Sequence, residues 1–497
     1  MSRRLVSRSL GRWVDPALAF EVLYGDAQTA FWLDSGVDAR SGTTYIGAAS
    51  GCPAVVVSGA SVLDVISAEL ERQGENDVRR RATAPDIPAE SDVKADANAE
   101  AGAPPPAFRL GWVGWLAYDL DDSRFMFVDR AIAFDHAART VTLLALEAGS
   151  SPAQSRSTDP LSTDPLSTDA PTSTPPTSLS TLTWLSTTSA RLLAADASIT
   201  APHSMVRDQE RRANPSGERQ GGEVRWRHRP AEYLQLIREC QALIGEGEAY
   251  QLCLTNEITV DVHPEPLEVY AKLRMLNPTH HGGYLRFGDV ALLSSSPEQF
   301  LEVTAGGAVM TKPIKGTRPR GETPERDAEL RDELLESEKE RAENVMIVDL
   351  MRNDLGKVAR TGSVRVSKLF DVESYSTVHQ LVSTVTAELA DGLTGVDAVR
   401  ASFPAGSMTG APKISAMQIL RRLENGRRGV YAGAFGYFGL DGRVDLAMSI
   451  RSIVLTPAGA SIGTGGGITA LSTPDDELAE IEVKAAALLA ALGVDAR

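Results

Sequence analysis

Apolar positions fall into short runs over the first two hundred residues and into denser alternating or helical patterns after residue 228. In the first part, Phe31-Trp-Leu, Ala54-Val-Val-Val and Val141-Thr-Leu-Leu-Ala-Leu have the length and the β-branched or aromatic character of strands. Between the last two, Gly111-Trp-Val-Gly-Trp-Leu-Ala-Tyr mixes glycine with aromatics and reads as a buried turn that opens a helix. After residue 228 the pattern predicts a helix over 230–245, a strand over 250–260 and a helix over 265–276. Ala291–Ser296 and Phe300–Val303 read as the arms of a hairpin turning at Ser296-Pro-Glu298, and a further strand ends in Thr311-Lys-Pro-Ile-Lys-Gly-Thr317. Thr323-Pro324 sets an N-cap before a proline at the first helical position, and Ser337-x-x-Glu340 is a capping box ahead of Val345-Met-Ile-Val. Strands over 430–440, 444–455 and 459–464 precede a helix over 474–492. Antiparallel strands and helices in this order predict an α+β fold.

Two stretches break the pattern. Residues 81–107 hold Ala, Pro and acidic residues with almost no large apolar side chains, and residues 149–183 repeat Ser157-Thr-Asp-Pro-Leu as Ser162-Thr-Asp-Pro-Leu before decaying to Ser167-Thr-Asp-Ala-Pro. Segments this polar and proline-rich bury too little to offset their ordering entropy, so both read as disordered insertions. A polar tract over 203–224 reads as a linker between an N-terminal part, residues 1–200, and the denser region over 225–497.

Composition narrows the function classes. Fifty Lys+Arg against 66 Asp+Glu give a formal charge of −16, which speaks against a nucleic-acid partner because phosphate binding needs a concentrated basic face. Cys52, Cys240 and Cys253 show no CxxC spacing, which removes a disulfide scaffold and a cysteine zinc site. The longest apolar runs fall short of the roughly 18 residues of a membrane span. The basic start MSRRLVSRSLGRW has no apolar segment after it, so it is not read as a secretory signal. The expectation is a soluble, cytoplasmic protein with no membrane partner.

Several groups of residues have the makings of chemistry. Spacings of three and four put Glu477, Glu480 and Lys484 on one helical face, with Glu482 pointing elsewhere, and Glu340 and Glu343 repeat the carboxylate pair on another helix. Two such pairs facing each other, with oxygen ligands only, suit Mg²⁺, although acidic pairs on helices are most often solvated charges. Ser461-Ile-Gly-Thr-Gly-Gly-Gly467-Ile reads as a glycine-rich loop whose N–H groups converge on an anion; it matches neither the dinucleotide fingerprint nor a P-loop. Lys315, hemmed in by Pro, Ile and Gly, reads as a desolvated lysine with a lowered pKa and a nucleophilic amine. His379 lies in an apolar stretch, where a lone histidine is usually a satisfied core group, and Arg451 is a candidate partner for a carboxylate through its bidentate fork.

Taken together, Pro313-Ile-Lys-Gly-Thr317, Arg341-Ala-Glu-Asn-Val-Met-Ile-Val-Asp-Leu-Met-Arg-Asn-Asp-Leu-Gly356, Phe403-Pro-Ala-Gly-Ser-Met-Thr-Gly-Ala-Pro-Lys413 and Gly465-Gly-Gly-Ile resemble, in this order, the motifs of the chorismate-utilising enzymes. That family includes anthranilate synthase component I, aminodeoxychorismate synthase component I, isochorismate synthase and salicylate synthase. The resemblance is dense after residue 230 and diffuse in the first 200 residues. It implies two orthogonal antiparallel β-sheets sandwiched by helices, with the active site in a central cleft. It implies Mg²⁺ ligands at Glu343 and Glu480 with Glu340 and Glu477 in support. It implies contacts to the chorismate carboxylates from Tyr431, Arg451, the amides of Gly465, Gly466 and Gly467, and Lys484, with Gly316, Thr317, His379 and Ser407 lining the same pocket.

Three positions bear on the reaction. Gln251 stands where isochorismate- and salicylate-forming relatives place a lysine base, and Lys312 stands where they place a glutamate acid just before the PxxGT segment; both departures argue against water as the incoming nucleophile. Lys315 matches the P-I-K-G-T of aminodeoxychorismate synthases rather than the P-I-A-G-T of anthranilate synthases, and Trp32-Leu-Asp-Ser35 and His280-His-Gly282 depart from the segments that bind feedback tryptophan in the latter. The implied reaction replaces the C4 hydroxyl of chorismate by an amine, with Lys315 as covalent nucleophile, Glu298 as proton donor and His379 in the catalytic set. No cysteine has a G-x-C-x-G setting, so the resemblance implies ammonia from solution or from a separate glutamine amidotransferase chain, and a product for 4-aminobenzoate and folate or a related pathway. The competing readings are anthranilate formation, with amination at C2 and loss of pyruvate, and a non-catalytic chorismate-binding subunit; against the second, every carboxylate and Lys315 are retained.

Overall fold

Strands carry most of the architecture. A computed structural model of the chain describes residues 3–49, 55–83, 106–148, 180–198, 222–375 and 378–494. Among them are two antiparallel sheets of 12 and 10 strands. The site-bearing part of the larger sheet runs in the order Val290–Ser296, Ser452–Thr456, Gly459–Ile468, Gln251–Val260 and Gly410–Ala411. The smaller sheet begins at Ile314–Pro319 and continues through Val378–Glu388, Ala308–Thr311, Gln299–Val303, Val444–Met448, Ala434–Gly439 and Gly111–Leu116. Both sheets take strands from either side of the 203–224 tract. That tract lies outside the described residues up to residue 221, and Val224 opens a short strand.

Three apolar clusters stack as a sandwich. One joins the larger sheet to the helices Pro16–Tyr24, Pro266–Leu276 and Pro474–Leu492, and another joins the smaller sheet to Glu338–Gly356. Between them a third cluster brings Phe31 and Leu292 of the larger sheet against Val113, Trp115 and Phe435 of the smaller. Burying side chains of this size stabilises by about 1.5–3 kcal/mol each. None of the described helices is long and apolar enough to cross a membrane.

Three sequence expectations change. Gly111–Leu116 is a fully buried strand, not a turn and helix start. A Cβ on Gly114 would lie 2.0 Å from the Arg124 carbonyl oxygen, so that glycine serves strand contact rather than turning. The insertions read over 81–107 and 149–183 lie largely outside the described residues. Their edges, however, are helical: residues 81–83 end Val62–Thr83, and Thr181 opens Thr181–Ser198.

The third change is the supposed hairpin at Ser296-Pro-Glu298. Val290–Ser296 pairs with His281–Phe287 and Ser452–Thr456 in the larger sheet, whereas Gln299–Val303 pairs with Val444–Met448 in the smaller. Pro297 interrupts the ladder, since it has no N–H to give, and the chain passes from one sheet to the other. The segment read as one strand over 444–455 likewise breaks between Met448 and Ser452, with Arg451 at φ 51°. The two crossings lie side by side: the Met448 N–H donates to the Glu298 carbonyl at 3.0 Å, and the Ser295 N–H donates to the Arg451 carbonyl at 3.1 Å.

Candidate functional site

These crossings open a cavity of about 630 Å³ walled by both sheets and two helices. One helix, Glu338–Gly356, starts where the Ser337 hydroxyl accepts from the Glu340 N–H at 3.4 Å, and its first turns turn Glu340 and Glu343 inward. The other, Pro474–Leu492, presents Glu477, Glu480 and Lys484, while Glu482 is exposed and away from the wall. Glu298 and Arg451 enter from the two crossings.

Lys315 comes from the edge strand Ile314–Pro319, whose pairing slips between Ile314 and Thr317. Gly316 takes φ 84° at that irregularity, and a Cβ there would meet the Glu340 carboxylate at 2.9 Å. The glycine run is part of the strand Gly459–Ile468, not a loop, with Gly465, Gly466 and Gly467 opposite Thr255, Leu254 and Cys253. Its pairing with Ser452–Thr456 stops at Ile462, which leaves one edge of the run without a strand beside it. Absent side chains make room here. A Cβ on Gly466 would lie 2.8 Å from Glu477 Oε2, and one on Gly467 would lie 2.3 Å from Gln251 Nε2 and 3.4 Å from Lys315 Nζ.

All the residues singled out from sequence line this cavity except Gln251 and His379. Gln251 is fully buried beside Gly467 and Lys315, and neither its amide nitrogen nor its oxygen has a hydrogen-bond partner. His379 is elsewhere. Its ring joins the Ser374 hydroxyl at 2.7 Å and Asp327 at 2.9 Å, and it is not on the cavity wall. Strand alternation explains the error: its neighbour Gln380 faces the cavity, so His379 faces away. Spacing also gave no sign of Arg318 or Lys339, both on the wall. Lys339 directly precedes Glu340 in its helix, but its reach across to the other helix exists only in the folded chain.

Each of the four glutamates Glu340, Glu343, Glu477 and Glu480 has a cation. Lys315 lies 3.8 Å from Glu343, Arg318 3.7 Å from Glu340, Lys339 3.5 Å from Glu477 and Lys484 2.6 Å from Glu480. Burial lowers the pKa of Lys315 and is the largest single influence, but Glu343, Cys253, Glu298 and Glu480 together outweigh it and leave the pKa raised. The amine is therefore held charged, a correction to the free nucleophile read from sequence. Burial pushes Glu298 up to about 7, against the Ser407 hydroxyl, Lys315 and the Ile314 backbone. Burial also raises Glu343, with Lys315 opposing, and lowers Arg451.

The four carboxylates form an oxygen-only donor set on two helices around one cavity, which suits a hard divalent cation. Glu477 Oε2, over Gly466, accepts no hydrogen bond among the described residues, which leaves it available to such a set. As they stand, however, no three His, Cys, Asp or Glu side chains among the described residues are grouped closely enough to hold an ion.

The model of the chorismate binding enzyme family matches residues 58–490. The aminodeoxychorismate synthase of Streptomyces pristinaespiralis is 41% identical over 98% of this chain, and the chain spans 65% of its length. Anthranilate synthase component 1 of Thermus thermophilus is 44% identical, but over 56% of this chain and 60% of its own. Among solved structures, the menaquinone-specific isochorismate synthase of Escherichia coli superimposes with a TM-score of 0.64 over 99% of this chain and 95% of its own, at 18% identity, which is a likeness of fold.

Proposed function

Because the chain belongs to the chorismate-binding enzyme family, we propose that it aminates chorismate at C4 to give 4-amino-4-deoxychorismate. The observation that carries this reading is Lys315, a buried amine on the cavity wall with the unpartnered Gln251 amide beside it and Glu298 among the groups acting on it. The reach of the aminodeoxychorismate synthase match along nearly the whole chain supports it, since the anthranilate synthase match covers little more than half.

In this reading Glu298, as carboxylate, takes a proton from the Lys315 ammonium. The neutral amine attacks C2, the ring double bonds shift, and the C4 hydroxyl leaves as water with the proton from Glu298. Ammonia then attacks C4, and the Lys315 amine departs from C2. Because the lysine occupies C2, the incoming nitrogen is directed to C4. Arg451, Lys484, Tyr431 and the free edge of Gly465–Gly467 hold the substrate carboxylates, and Gly316, Thr317 and Ser407 complete the wall. Mg²⁺ held by Glu343 and Glu480, with Glu340 and Glu477 behind them, would supply further positive charge for a substrate carboxylate. Ammonia comes from a glutamine amidotransferase component on another chain, the reaction runs in the cytoplasm, and the product serves 4-aminobenzoate and folate synthesis.

The test is the product formed from chorismate, ammonium and Mg²⁺, identified by mass and ultraviolet spectrum. 4-Amino-4-deoxychorismate supports the reading. Anthranilate with pyruvate, or binding without turnover, overturns it. Lys315→Ala should lose the C4 product by several orders of magnitude, and chorismate without ammonia should leave a mass adduct on Lys315. A variant that keeps both rate and product reduces Lys315 to an electrostatic contact.

A further inference from the structure

We propose that Lys339 is the exchangeable counter-ion of the cavity: it holds Glu477 while the cation site is empty, and it turns to a substrate carboxylate when a divalent cation takes Glu477 over. The proposal rests on the Mg²⁺ reading above and assigns a positioning role to a residue outside the expected ligand set.

Three observations carry it. First, Glu477 is only 4% exposed, and its Oε1 accepts from the Ser472 hydroxyl at 2.8 Å and from Lys339 at 3.5 Å. A buried carboxylate needs a compensating charge, and Lys339 is the cation that supplies it. Second, of the four cations paired with these carboxylates, Lys339 is the least tied down. Its side chain is 44% exposed and makes one hydrogen bond among the described residues, to Glu477. Lys484, by contrast, also donates to the Gly465 carbonyl at 2.8 Å, Arg318 is shared with Glu333, and Lys315 is enclosed.

Third, the charges on the wall come close to balance. Lys315, Arg318, Lys339, Arg451 and Lys484 face Glu298, Glu340, Glu343, Asp476, Glu477 and Glu480, five against six. A divalent cation alone shifts this by two positive charges, and a dianionic substrate alone by two negative ones. Entry of both leaves it unchanged in a site of low dielectric. Arg451 makes no ion pair with a carboxylate among the described residues and meets a substrate without exchanging a partner; of the four paired cations, the geometry selects Lys339 as the one that turns from carboxylate to substrate. The same pairing accounts for carboxylates that are present but not yet gathered around an ion.

Mn²⁺, followed by the electron paramagnetic resonance of the free ion, tests this without turnover. Wild-type protein, Lys339→Met and Lys339→Arg are titrated with and without chorismate, in the absence of ammonia. Lys339→Met should bind Mn²⁺ about 10-fold more tightly than wild type when chorismate is absent, since the competing cation is gone. Chorismate should tighten Mn²⁺ binding by about 10-fold or more in wild type and by about 3-fold or less in Lys339→Met. Lys339→Arg should follow wild type in both. Equal Mn²⁺ affinity in wild type and Lys339→Met, or undiminished coupling in that variant, overturns the role of Lys339 while leaving the metal reading standing. Wild-type protein that binds no Mn²⁺ even with chorismate overturns the metal reading and this proposal with it.

Discussion

Glu298 illustrates how burial sets chemistry at a single residue. Its side chain is 7% exposed, and its carboxyl ionises at about 7 rather than in the usual carboxylate range. In the proposed sequence Lys315 and Glu298 share one proton, and Glu298 must be ionised to accept it, so the pair titrates as a unit. Turnover should therefore rise as pH climbs through about 7. Glu298→Gln should lower kcat by about 10²–10⁴-fold and remove that limb. A kcat profile at constant free ammonia measures both, and a wild-type profile flat across this range counts against the shuttle. None of this was legible locally. Ser-Pro-Glu reads as turn chemistry, and the charged state of Lys315 depends on Glu343, which belongs to a different element.

At the scale of elements, what could be read depended on how local the cause was. The N-caps at Thr323 and Ser337 form, because capping needs only neighbours three residues away, but the capping box read at Ser337 forms only its serine half, since the Glu340 carboxylate turns to Arg318. The two sheet crossings were not readable: Val290–Ser296 and Gln299–Val303 alternate like hairpin arms, and only their distant partners assign them to different sheets. The glycine run reads as a loop for the same reason, since Gln251 and Lys315, which need the space at Gly467, lie far away in the chain. Helix faces were legible. Glu480 and not Glu482 lies on the wall, so Glu343→Gln and Glu480→Gln should abolish ammonia-dependent turnover while Glu482→Gln stays within about 2-fold, given that an exposed helix charge contributes little. Equal damage from all three would refute that face. The wall also depends on a buried tie: Lys413 donates to Asp354 at 2.5 Å and to the Ser402 carbonyl at 2.8 Å, joining the Glu338–Gly356 helix to the segment that carries Ser407. Lys413→Met leaves Asp354, 1% exposed, with Lys357 alone, and should cost about 3 kcal/mol. Thermal denaturation reads this directly, and an unchanged Tm would show the tie to be dispensable.

Over the whole molecule, the site depends on both sheets and the helices outside them, so stability of the sandwich and geometry of the cavity are inseparable. The polar repeat stands apart from that requirement. Its composition, three Ser-Thr-Asp units among prolines, offers almost nothing to a core. The helix that follows it does contribute, because Leu185 and Leu192 of Thr181–Ser198 are buried in the same cluster as Phe20 and Trp32. The boundary of what can be removed therefore lies before Thr181 rather than at residue 183. Replacing residues 151–178 by a short Gly-Ser linker should leave turnover within about 3-fold and Tm within about 2 °C, since surface changes away from the core are close to neutral. Carrying the deletion through Ser198 removes both leucines, each contributing about 1.5–3 kcal/mol of burial, and should lower Tm by about 3–6 °C. Comparing the two deletions by thermal melt and by ammonia-dependent turnover separates the repeat from the helix. If the shorter deletion alone collapses solubility or activity, the repeat packs against the sandwich, and composition is a poor guide to its role.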